Sequence, residues 1–207
     1  MTAFHYLALG DSYTIGESVS VEERWPRQLV KALEAEGMQI ELTIIARTGW
    51  TVDELWQGIQ ADPPTGNYDL VTLLIGVNNQ YRGYPLHGYQ EDFRFMLGKA
   101  IEYAGGNPNH VVVLSIPDWG VTPFATVVAV RFPNGDTNLI SQQIDEFNAV
   151  NLSETRIAGA HYVDITDLSR DAAKDPGLIA ADGLHPSGKM YATWAEKALP
   201  VVREIIR

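Results

Sequence analysis

A serine, a histidine and an aspartate in this chain have the types needed to build a hydroxyl nucleophile. Ser12 closes Leu9-Gly10-Asp11-Ser12, directly after the apolar run near the start of the sequence. Far downstream, Asp182-Gly183-Leu184-His185 sets a carboxylate three residues ahead of an imidazole. A carboxylate at that distance can fold back in one tight turn and accept the Nδ1–H of the histidine. That fixes the tautomer and leaves Nε2 to take a proton from a serine hydroxyl. The chemistry this would support is acyl transfer. Each part also has a plainer use: serines cap helices or sit in solvent, and D-x-x-H also arises as an ordinary turn before a helix.

The elements that must position these residues alternate along the chain. Strand-like apolar runs cover Phe4 to Leu9, Glu41 to Ala46, Leu70 to Ile75 and Val111 to Ile116, with a shorter one at Tyr162 to Ile165. Near-continuous apolar runs of this length are what strands buried on both faces look like. Helical spacing lies between them. Leu29, Val30 and Leu33 share a face after Pro26, with Gly37 as the closing cap. The same spacing recurs in Val52, Leu55, Trp56 and Ile59, in Phe93, Met96, Leu97 and Ile101, and in Ile140, Ile144, Phe147 and Val150. A last helix runs from about Ser187 through Trp194 and Leu199, with a kink expected at Pro200. Five strands alternating with helices predict an α/β protein, a parallel sheet covered on both faces. No repeat or linker divides it, so residues 1–207 read as one domain.

In open parallel sheets, ligands bind beyond the carboxyl ends of the strands. Ser12, Gly49, Asn78, Asn79, His87, Asp118, Asp182 and His185 fall on that side. His5, His110 and His161 begin strands and belong to the opposite rim. His185 is the better base, since His87 has no carboxylate ahead of it in the same way and reads as loop surface or substrate rim. The Asn78 amide could donate to an oxyanion, or serve as an Asx-turn residue leaving a strand. Gly49 could present an unobstructed N–H, or simply make a strand-to-helix turn. Asp11, next to Ser12, reads as turn-stabilising.

Composition narrows the class further. The chain has 207 residues and a formal net charge of −11, which disfavours nucleic acid and anionic membranes as partners. It has no cysteine, so disulfides, a thiol nucleophile and thiolate metal sites are excluded. The N-terminal apolar run is too short for a signal sequence and no segment reaches the length of a membrane span. The expectation is a soluble, cytoplasmic protein.

In this order, the residues resemble the SGNH (GDSL-type) hydrolase superfamily, its bacterial esterases and lysophospholipases in particular. Gly10-Asp11-Ser12 is similar to its first block, Gly49 to the glycine of its second, Gly76-Val77-Asn78-Asn79 to its third, and Asp182 to His185 to its last. The resemblance runs from the first strand to the last helix. It implies a flavodoxin-like, three-layer α/β/α sandwich around a five-stranded parallel sheet, and esterase or lipase-like chemistry. By that resemblance Ser12 is the nucleophile, His185 the base and Asp182 its orienting acid. The oxyanion hole is then the Ser12 and Gly49 N–H groups with the Asn78 side chain. No metal or cofactor is required. The chain departs from the family in two places: Tyr13 follows Ser12 where the GDSL name has leucine, and Asn79 stands where the usual residue is aspartate.

The substrate is then a small-molecule ester. Trp50, Asn79, Tyr81, Tyr84, Trp119 and Phe124 are expected around the site. The stretch Pro117 to Asn138, with Trp119, Phe124 and Phe132, is long for a connection and could form a pocket wall. The absence of a long apolar lid favours short-chain esters, with carbohydrate O-deacetylation as the alternative. A different class, a flavodoxin-like phosphate or FMN binder, would use the hydroxyl-rich segment Ser12 to Ser18, but leaves Asp182 and His185 without a role. A non-catalytic relative that keeps only the fold is opposed by the complete set of candidate residues.

Overall fold

In the computed structural model, residues 3–131 and 135–206 are described. Phe132, expected on the wall of the site, lies outside them. Five strands form one sheet: β1 (Phe4–Gly10), β2 (Ile40–Ala46), β3 (Leu70–Leu74), β4 (Val111–Leu114) and β5 (His161–Val163). Every pairing is parallel and the order is β2-β1-β3-β4-β5. The central strands are buried on both faces. Tyr6, Leu7, Ala8 and Leu9 are fully buried in succession, and so is all of β3. This double burial is why they read as unbroken apolar runs.

The helices are α1 (Ser12–Ile15), α2 (Trp25–Glu34), α3 (Val52–Ala61), α4 (Val77–Tyr81), α5 (Leu86–Tyr103), α6 (Pro123–Val128), α7 (Asn138–Ala158), α8 (Thr166–Arg170) and α9 (Gly188–Ile205). The chain steps from β1 to β2 in one direction, then back across β1 to β3, β4 and β5. Right-handed crossovers therefore put α2 on one face and α3, α5 and α7 on the other. The packing agrees: α9 lies against α2, while α5 packs on α3 and α7. The result is three layers, α/β/α. The reversal of strand order falls between β1 and β3, and loops leaving their carboxyl ends diverge there to open a crevice.

Most expected elements are present, with shifted ends. The strands expected to reach Ile116 and Ile165 stop at Leu114 and Val163 because side chains take over the hydrogen bonding. Ser115 Oγ accepts from the N–H groups of Ile165 and Thr166 at 2.7 and 3.1 Å, and Asn148 Oδ1 accepts from Ile116 N–H at 2.7 Å. The last helix, with Ser187 as its N-cap, runs through Pro200 to Ile205. The long connection after β4 is folded into a 3₁₀ turn at Trp119–Val121 and then α6.

Candidate active site

Gly10 ends β1 in the middle of the sheet, paired with Ala46 on one side and Leu74 on the other. A Cβ on Gly10 would overlap the Leu74 carbonyl oxygen and Thr14 Oγ1, so the chain can turn there only as glycine. Asp11 caps the short helix that follows, its Oδ1 accepting the Tyr13 N–H at 3.0 Å. Ser12 is the first residue of α1, at the mouth of the crevice. Asp11 itself is fully buried, and burial pushes its carboxyl up to about 7 although the Tyr13 N–H opposes the shift. It stabilises the turn, as its position suggested.

Across the crevice, Asp182 and His185 form a closed local unit. His185 Nδ1 meets Asp182 Oδ2 at 2.6 Å. The other carboxylate oxygen accepts the backbone N–H groups of Leu184 and His185, each at 2.9 Å. Gly183, with φ at 75°, makes the turn. An antiparallel bridge between Ile179 and Pro186 and a bond from Ala180 N–H to the His185 carbonyl at 2.7 Å hold the loop shut. Burial works against ionisation of Asp182, but hydrogen bonds from Ser18, Leu184 and His185 outweigh it and hold the carboxyl well below its usual range. The contact with Nδ1 leaves Nε2 as the imidazole atom available to a reaction partner. The ring of Tyr13 stands edge-on to His185, with centroids 5.7 Å apart.

The third wall is a joint between the loop after β2 and α4. Gly49 has φ at 87°, a conformation that favours glycine. Asn78 donates its side-chain amide to the Trp50 carbonyl at 2.9 Å, using one of its two amide hydrogens. Arg82 donates to the Gly49 carbonyl at 2.6 Å and pairs with Glu54 at 3.0 Å. Asn79 is wholly buried and its Oδ1 accepts the Val52 N–H at 3.1 Å, satisfying an orphan donor at the start of α3. An acceptor oxygen is what an aspartate would supply in the same place. Asn79 Nδ2 has no partner among the described residues.

Ser12, Gly49, Asn78 and His185 line one cleft of about 190 Å³. Tyr81, Trp119 and Phe124 also line it, together with Tyr13, Thr48, Val77 and Leu184, which the sequence did not single out. Three expected members are not part of this lining. Asn79 is spent on the α3 terminus. The Trp50 ring packs on Gly58 of α3, where a Cβ would overlap it. Tyr84 lies outside as well. His87 is exposed on α5, beside Glu91. Trp119 is held by its indole N–H donating to Gln80 Oε1 at 2.8 Å, and Gln80 in turn donates to Gln143 at 2.7 Å. No metal-ligand cluster of three or more His, Asp or Glu side chains occurs among the described residues. The hydroxyls that suggested a phosphate cradle point elsewhere: Thr14 is buried, and Ser18 donates to Asp182.

A parallel α/β/α sheet brings a serine hydroxyl and a carboxylate-bound imidazole to one cleft beyond its strand ends, the arrangement of a hydrolase-type fold. The sequence matches the GDSL-like Lipase/Acylhydrolase family over residues 8–193, and the chain belongs to that family. It is an ester hydrolase. The fold is similar to solved structures at low identity. TesA shares 19% identity with a TM-score of 0.74, covering 97% of this chain and 99% of its own. A lipolytic G-D-S-L family protein from Veillonella parvula shares 18%, TM-score 0.72, covering 97% and 99%. A mutant of Axe2, an acetyl-xylooligosaccharide esterase from Geobacillus, shares 18%, TM-score 0.73, covering 97% and 94%. Among curated proteins, none matches the chain by sequence. No helix among the described residues is long and apolar enough to cross a membrane.

Proposed function

We propose that the chain, acting as one domain, hydrolyses short-chain carboxylic esters through an acyl-enzyme on Ser12. The observation that carries this reading is the 2.6 Å contact of His185 Nδ1 with Asp182, made by a histidine that lines the same cleft as Ser12. His185 Nε2 takes the Ser12 proton as Oγ attacks the ester carbonyl. The tetrahedral oxyanion is received by the N–H groups of Ser12 and Gly49 and by the second amide hydrogen of Asn78. Collapse of the intermediate breaks the bond to the alcohol, which leaves with the proton from His185. Water, deprotonated by the same imidazole, then releases the acid. Asp182, kept ionised by its donors, holds the tautomer and faces the imidazolium that forms in each step.

The size of the cleft supports a small acyl group. About 190 Å³ is room for roughly six water-sized groups. Its walls are Val77, Tyr81, Trp119, Phe124 and Leu184, apolar and partly aromatic. An acetyl group on a sugar also fits such a wall, and Axe2 gives that alternative a structural parallel. The setting proposed is the cytoplasm, with which a cysteine-free composition is compatible.

Fluorophosphonate labelling followed by peptide mass spectrometry tests the reading. The expected result is a stable adduct on Ser12, lost in Ser12→Ala and in His185→Ala. A folded protein that takes no adduct at Ser12 overturns it. Kinetics on a panel of p-nitrophenyl esters and acetylated sugars then separates the two substrate classes.

A further inference from the structure

Among the described residues, Ser18 alone combines a side chain with a positive φ, at 65°. A serine there carries backbone strain that a glycine would not. What the serine adds is a hydroxyl that donates to Asp182 Oδ2 at 2.6 Å, across a sequence separation of 164. That oxygen is the one facing His185 Nδ1. The donors on Oδ1, Leu184 N–H and His185 N–H, belong to the same loop as Asp182 and move with it. Ser18 comes from the segment that carries Ser12. Its neighbour Glu17 accepts a hydrogen bond from Thr48, beside Gly49. The segment after α1 therefore touches the loops of both Gly49 and His185.

We propose that Ser18 is a positioning residue of the hydrolytic centre: its hydroxyl fixes Asp182 Oδ2 against His185 and ties the loop of the base to the segment of the nucleophile. The inference rests on the Ser12–His185–Asp182 reading. Sharing Oδ2 between two donors also limits how much of its charge falls on the imidazole. The other titratable groups around the pair are Tyr13 and Tyr191, buried and held neutral, with Asp11 beside Tyr13 and Glu17 beside Ser18.

Two substitutions separate positioning from packing. Ser18→Gly removes the hydroxyl and the strain together. Ser18→Thr keeps a hydroxyl but puts a β-branched residue at positive φ, which is worse tolerated. Full-length proteins are compared by Tm, by the rate of fluorophosphonate labelling at Ser12, and by kcat and KM on p-nitrophenyl acetate. The glycine variant should keep a Tm near wild type. Its labelling rate and kcat should fall about fivefold, as for loss of one partly exposed hydrogen bond to a charge, with KM unchanged. The threonine variant should melt earlier yet keep the wild-type labelling rate, kcat and KM. A glycine variant with wild-type labelling rate and kcat overturns the proposal, and so does a folded threonine variant as slow as glycine. Wild-type protein that does not label at Ser12 overturns the triad reading, and this inference with it.

Discussion

The Asn78 side chain donates to the Trp50 carbonyl at 2.9 Å, so α4 is bonded to the loop after β2 where two proposed oxyanion donors meet. Two further bonds reach the same stretch of chain: Arg82 donates to the Gly49 carbonyl, and Asn79 accepts from Val52 N–H at the start of α3. Three residues within five positions of α4 and its end thus hold the loop and the helix start that follows it. The position of the Gly49 N–H follows from that clasp as much as from its own φ of 87°.

Asn78→Ala removes both the direct donor and one strand of the clasp. Loss of a single oxyanion donor typically costs about 10²–10³ in turnover, and the variant should fall in that range. The loss should appear in kcat on p-nitrophenyl acetate while Ser12 still labels slowly. Labelling and turnover at wild-type rates would remove Asn78 from the oxyanion hole.

Arg82→Ala leaves Asn78 in place and releases the Gly49 carbonyl together with the exposed pair to Glu54. A smaller effect follows, about tenfold in kcat, in line with one charge-assisted hydrogen bond. Arg82→Lys should recover little, because a single ammonium cannot reproduce the fork that spans Gly49 and Glu54. Recovery by lysine to the wild-type rate would show that charge, and not the fork, is what matters there.

The sequence made β1 and β3 legible because both are buried on two faces and leave continuous apolar runs. The Asp182–His185 unit was legible for a different reason: it is local, closed within three residues by one turn. Contacts made across the chain left no such trace. Ser115, Asn148 and Thr166 end two strands early through partners 18 to 51 residues apart. Ser18 reaches Asp182 from 164 residues away, and nothing in its neighbours announces it. Trp50 and Asn79 stand at the correct end of the sheet, but which way they turn depends on their contacts with α3. Gly58 provides the hollow for the Trp50 ring, and Val52 the donor for Asn79.

Trp119 lines the cleft, and in the proposed reading it sets the depth of the acyl pocket. It is 3% exposed, lies against Tyr81 and Phe124, and is fixed by Gln80 and Gln143 behind it. Trp119→Leu should open space and shift preference toward longer acyl chains. Each methylene newly buried contributes about 0.8 kcal/mol, or roughly fourfold in relative kcat/KM. Hexanoate over acetate should therefore rise by tenfold or more on the p-nitrophenyl series. An unchanged chain-length profile in a folded variant would place the acyl group on a different wall.

Asp11 gives the fold a pH dependence opposite in sign to that of Asp182. Burial pushes the Asp11 carboxyl up to about 7, against about 3.9 in an unfolded chain. The folded state then holds the proton more tightly than the unfolded one. Its stabilising contribution is complete below about pH 4 and is lost as pH rises toward about 7. Asp182 is depressed, so its contribution is present above about pH 4 and disappears as pH falls below it. The windows do not overlap, and a variant can isolate the first. Asp11→Asn keeps an oxygen for the Tyr13 N–H and removes the charge. In chemical denaturation the variant should stay close to wild type near pH 4 and gain on it steadily toward about pH 8. A difference between the two proteins that stays constant across that range would mean that Asp11 remains ionised in the fold, stabilised by a partner the buried Oδ2 is not seen to have.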